Sequence, residues 1–260
     1  MAMGMGCKGS EPTAADYDDV AVAVGALLGD DDASGTENTL VAVSNTTSTS
    51  SNTGLGDVAS MQHAVNLALG ARPAGFATQG SGEVTGSRGG LTFTYNVSCA
   101  GLAGAALPAC GPTTDVATAS VQWNGSFTGP RVTATATRTG SWTLSNLQSD
   151  TLTFRGQGAF TVTSSFIALS QPISRTFRMS YDATYQDVLV SKASGRPIGG
   201  SIRYLIAAER ARDGAFTTVD ASFDVEAVVT FAADGTATLV LDGQRTYSVQ
   251  RANGTVASVN

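Results

Sequence analysis

Apolar residues recur at every second position over most of this chain, and at every third or fourth position over two short stretches near its start. The first of these, TAADYDDVAVAVGALLG (13–29), sets Tyr17, Val20, Val24, Leu27 and Leu28 at helical spacing. Thr13 and Asp16 form a capping-box pair at its start, and Gly29 is a stop signal. The second, GDVASMQHAVNLALG (56–70), has Asp57 as a cap and Val58, Met61, Val65 and Leu69 as its stripe. Gly70 and Pro73 end it. Each predicted helix has one apolar face that must dock on something.

From about residue 83 the period is two. Leu91, Phe93, Tyr95, Val97 and Cys99 share one face, and Thr92, Thr94, Asn96 and Ser98 the other. Ala117, Ala119, Val121, Trp123 and Phe127 continue the apolar face. Over 131–146, Val132, Ala134, Ala136, Trp142 and Leu144 are even, and the intervening odd positions are all Thr or Ser. Parity runs unbroken through Gly140, which predicts one long strand bent there rather than a hairpin. Leu152, Phe154, Gly156, Gly158, Phe160, Val162 and Phe166 are likewise even. A turn centred on Gln148 sets Trp142 opposite Phe154 and Gly140 opposite Gly156, a shared crease of glycines.

Later segments repeat the alternation. They are Ile173 to Tyr185, then Ile198, Ile202, Tyr204 and Ile206, then Val219 to Phe231, and finally Leu239, Leu241, Tyr247 and Val249. Ala233-Asp234-Gly235 is a three-residue hairpin loop with Gly in the left-handed position.

The pattern predicts a mainly β (α+β) fold: one large curled antiparallel sheet of about eight long strands, with two N-terminal helices on its concave face, half-barrel or barrel-like. Residues 13–260 are expected to form a single domain, with helices and a Ser/Thr-rich loop over 13–75 and the sheet over 83–250. Two other closures bury the same faces: a barrel with an apolar interior, and an inside-out barrel in an outer membrane. The last lacks aromatic girdles, carries Arg138, Arg175 and Arg245 on the apolar parity, and leaves the helices nowhere to dock.

Composition refines this reading. Aromatics are only 7% and charged residues 14%, as Thr-rich outer faces and Gly-rich turns require. The net charge of −6, with no basic run, argues against a nucleic-acid partner.

Cys99 and Cys110 bracket CAGLAGAALPAC, a loop short enough to join them; in an oxidising compartment they form a disulfide, and otherwise two reduced thiols. Cys7 is then left over. Gly4-Met5-Gly6-Cys7, followed by Lys8-Gly9-Ser10-Glu11-Pro12, resembles the cleavage region of a bacterial lipoprotein. The resemblance covers about ten residues, and implies that Cys7 carries lipid and that residues 1–12 tether the protein to the bacterial cell envelope, at the outer membrane facing the periplasm or the surface. It also implies that a basic and apolar signal precedes Met1 in the natural reading frame.

Catalytic chemistry is sparse. His63 is the only histidine, so every Ser-His or Cys-His site would depend on it. Asp220, Asp224 and Glu226 alternate along one strand, as a solvated face does. Asp30, Asp32 and Ser34 match the start of a calcium loop, but Val41 stands where the closing Glu belongs, so a solvated acidic loop is the better reading. No cofactor is expected.

The sequence therefore points first to a non-enzymatic envelope lipoprotein with a structural or interaction role. The second reading is a carrier of a lipid or other apolar molecule, lined by Phe93, Trp123, Trp142, Phe160 and Phe177. A sealed interior favours the first, and an open apolar cavity the second.

Overall fold

The computed structural model describes residues 12–28, 57–72, 76–78, 82–88, 91–128, 132–167, 174–213, 218–252 and 254–259. Cys7 and the calcium-loop candidates Asp30, Asp32 and Ser34 lie outside them.

Two helices form. In α1 (Ala14–Leu28) the predicted cap is present. The Thr13 N–H donates to Asp16 Oδ2 at 2.9 Å, and the Asp16 N–H donates back to Thr13 Oγ1 at 3.3 Å. Helix α2 spans Asp57–Ala68.

The rest of the described chain is mainly one antiparallel sheet of 13 strands. In chain order these are β1 (Phe76–Thr78), β2 (Glu83–Arg88), β3 (Leu91–Ala100), β4 (Ala106–Leu107), β5 (Val116–Thr128), β6 (Val132–Ser145) and β7 (Thr151–Ile167). They continue as β8 (Ser174–Ser191), β9 (Pro197–Asp213), β10 (Thr218–Phe231), β11 (Thr236–Leu241), β12 (Arg245–Gln250) and β13 (Thr255–Val259). Spatial order follows chain order from β1 to β13, except that β4 pairs with β3 off the main path. The sheet is open, since β1 and β13 are its two ends. The expectation of about eight strands thus undercounts. The excess is short strands, and β1 and β13 fall outside the expected 83–250 span. Strands of two to six residues are too brief for alternation to stand out.

Strand β6 is continuous through Gly140, as parity requires. Its register with β7 differs from the expected one. Trp142 faces Gly156, Leu144 faces Phe154, and Gly140 faces Gly158. The connection is longer than a turn on Gln148, because Asn146 adopts a left-handed φ of 62° and Leu147 is fully buried. The crease survives the shift. A Cβ on Gly140 would lie 2.7 Å from Trp142 Cζ2, and one on Gly156 would lie 2.8 Å from Trp142 Cα. The indole lies over the backbone where a side chain would otherwise stand.

A second crease explains where the alternation fails. On β8 the buried positions run Met179, Tyr181, Ala183, Tyr185 and then Val188, Val190. The bulge at Asp187, φ 49°, inserts one residue and flips parity. On β9 the pairing shifts near Gly199, so Pro197 is buried and Ile198 is only half-buried, against the expected inward Ile198. The two irregularities sit side by side, and the apolar face stays continuous across them.

The buried residues form one cluster. Helix α2 packs on β3 and β5, α1 packs on β11, β12 and β13, and the helices touch each other. The opposite face of the sheet carries mainly exposed Thr, Ser and charged side chains.

Candidate functional site

Parity places Arg138 on the apolar side of β6, and the structure puts it in the middle of the core, 1% exposed. Its Nη1 donates to Ser60 Oγ on α2 at 2.8 Å. Its Nη2 donates to the Tyr181 hydroxyl on β8 at 2.9 Å. The guanidinium carbon lies 6.0 Å from the ring centroids of both Trp123 and Phe160. One side chain therefore ties a helix to three strands of the sheet.

Burial, the largest influence, opposes the charge on Arg138; the hydrogen bond to Tyr181 and the surrounding Tyr185 and Tyr204 favour it, and on balance its pKa lies above the ordinary value. Burial pushes the Tyr181 hydroxyl pKa up despite the adjacent guanidinium. The same cause raises Tyr185 and Tyr204. At neutral pH these phenols are un-ionised.

Most of the expected ligand-lining residues are found here, but as core. Phe93 contacts Trp123 at 6.2 Å, Trp123 contacts Phe160 at 5.7 Å, and Phe160 stacks on Tyr181 at 5.1 Å between centroids. Tyr181 in turn meets Tyr204 edge-on at 5.1 Å. Trp142 belongs to a separate group with Phe154 and Tyr185, at 5.3 and 6.0 Å. Phe177 holds a register position opposite Ser164 and Arg210, and its side chain lies outside the described residues. Rings interlocked at these spacings fill the space between sheet and helices. The organising role of Arg138 was missed. Its place in the Val132–Leu144 parity series was the signal, since a cation inside an unbroken apolar alternation needs internal partners.

His63 is half-buried at the edge of this core, edge-on to Phe76 and Tyr95 at 5.3 and 6.2 Å. Among the described residues, no group of three or more His, Cys, Asp or Glu side chains is placed to hold a metal ion.

Hollows open at the surface among the described residues. One, of about 470 Å³, is a trough across β7–β10 that includes Asp182, Leu205, Asp224, Glu226 and Asp242. Glu226 is held by Arg203 at 2.7 and 2.9 Å, which lowers its pKa through that hydrogen-bonded pairing. Asp242 accepts from the Tyr17 hydroxyl and the Glu226 N–H, both at 2.8 Å. Another hollow, of about 410 Å³, lies beside Cys99 and Cys110. These cysteines are bridged, with Cα atoms 5.3 Å apart.

Comparison with known proteins finds no protein family, no curated protein and no solved structure that matches this chain.

Proposed function

We propose that this chain is a non-enzymatic protein of the bacterial cell envelope, tethered to a membrane by lipid on Cys7 and acting as a structural or interaction protein. The sheet is read as a half-barrel curled around α1 and α2, with its polar outer face as the working surface. The observation that carries this reading is the occupied interior. Arg138 pins α2 over rings that contact one another, so a ligand in the concavity would have to displace the core. Carriage in the concavity is therefore the weaker reading. An outer-membrane barrel is weaker still, because its lipid-facing side must be apolar and this sheet turns Thr and Ser outward.

The Cys99–Cys110 bridge supports export, since disulfides persist in oxidising compartments. It also leaves Cys7 as the cysteine available for lipid. The test is expression in a bacterium from the natural reading frame, including codons upstream of Met1, followed by fractionation and intact mass. The proposal expects membrane partition and a lipid-sized mass increment, both lost in Cys7→Ser. A soluble chain with an unmodified Cys7 thiol would overturn it.

A further inference from the structure

The ladder along one edge of β3 is interrupted. Strand β2 pairs with it as far as Asn96, and β4 takes over at Cys99. Between them the Val97 N–H reaches the Gly82 carbonyl at 2.8 Å. The hollow of about 410 Å³ occupies this interruption. Glycines hold its rims close. A Cβ on Gly70, φ 81°, would come within 3.0 Å of the Cys110 carbonyl oxygen. A Cβ on Gly82, φ 85°, would come within 2.8 Å of the Val97 carbonyl oxygen. Both sites need glycine for conformation and for space.

The walls are mostly apolar. Leu67 comes from α2, Val84 and Val97 from β2 and β3, and Leu107 and Pro108 from the bridged loop. The disulfide itself forms part of the wall. One cation, Arg72, lines the hollow, exposed and just past the end of α2. Among the described residues Arg72 has no hydrogen-bond or ion-pair partner, and no carboxylate lines the hollow. The volume lies within the roughly 300–1,000 Å³ of small-molecule sites.

We propose that this hollow binds a small amphiphile with an apolar body and one carboxylate, the body against Leu67, Val84, Val97 and Leu107 and the carboxylate on Arg72. A guanidinium pairs with a carboxylate in bidentate fashion. A single cation matches a single negative head, and a cationic amphiphile would meet only repulsion there. This site is independent of lipid on Cys7, so its failure leaves the anchoring proposal standing.

The test is calorimetric titration of the oxidised full chain with decanoate and with decylamine, each below its micellar concentration. Decanoate binds with a sub-millimolar Kd, and decylamine about tenfold more weakly or not at all, as one lost ion pair of about 1.4 kcal/mol gives. Arg72→Gln weakens decanoate by a similar factor and leaves the fold intact, because its side chain is exposed. Ala71→Trp fills the hollow from its exposed rim and removes decanoate binding. Reduction of the disulfide frees the Leu107–Cys110 wall and weakens binding too. No decanoate binding, equal binding of decylamine, or unchanged binding in folded Ala71→Trp would each overturn the proposal.

Discussion

The two helices cover the same sheet by different means. Helix α1 is held at its edges. Tyr17 donates to Asp242, and Tyr247 donates to Asp18, both at 2.8 Å. Arg245 lies 5.0 Å over the Tyr17 ring, and Gly25 lets the helix sit directly on Gly254 and Val256. Helix α2 is held from below. Ser60 meets a buried guanidinium, and the thiol-derived sulfur of Cys99 lies 3.9 Å from the Ala68 carbonyl near its end. Partly exposed polar bonds can exchange with water and each contributes about 1 kcal/mol. A buried charge cannot exchange, so α2 depends on one residue far more than α1 does.

That contrast is broken most sharply at Arg138. Arg138→Ala strands the Ser60 and Tyr181 hydroxyls and opens a void, and should cost about 3–5 kcal/mol in urea unfolding. Arg138→Met keeps volume without charge, and should cost much less, because desolvation of the guanidinium disappears with it. An Arg138→Met variant as stable as the parent would show that the space the side chain fills, not its hydrogen-bonded charge, holds α2.

Alkaline pH tests the same core through its tyrosines. Folded Tyr181, Tyr185 and Tyr204 have raised pKa values, chiefly from burial, whereas in the unfolded chain they ionise near the ordinary value of about 10. Their contribution is therefore full below pH 10 and is lost as pH rises through the folded values. The loss is at most about 1.4 kcal/mol per pH unit for each tyrosine. Stability flat to pH 11 would contradict the burial.

Removing the bridge with Cys99→Ala and Cys110→Ala should cost about 2–3 kcal/mol for a loop this short, measured by thermal unfolding with and without reductant. Gly25→Leu acts on α1 instead. A Cβ there would lie 2.6 Å from the Gly254 carbonyl oxygen, so a loss of about 1–3 kcal/mol is expected, with β13 amides losing protection first. The smallest effect belongs to the α1 cap. Asp16→Ala should cost about 1 kcal/mol, seen as a small shift in the urea midpoint.

The sequence carried the inward and outward assignment well, because period-two alternation is a direct consequence of the pleat. It carried the α1 cap because both members of the box lie three residues apart in the sequence. It failed where geometry rather than pattern decides. The Asp187 bulge flips parity with no change in hydrophobicity to announce it, and the β6–β7 turn hides Leu147 in a loop. The ring residues were legible as a set, but their mutual contacts were not. Whether Phe93, Trp123 and Phe160 line a cavity or fill one depends on distances that no spacing encodes. The disulfide was legible from its short loop, whereas the hollow beside it arises from an interrupted ladder.

Amide hydrogen exchange along α2 tests most directly whether the space between sheet and helices is a core rather than a ligand chamber. If Arg138 locks α2 into that core, Met61–Ala68 amides exchange only through global unfolding, with the same free energy as the central strands β6–β9. Exchange of those amides several kcal/mol more easily than the strands, in protein that remains folded, would mark α2 as a movable lid and contradict the account.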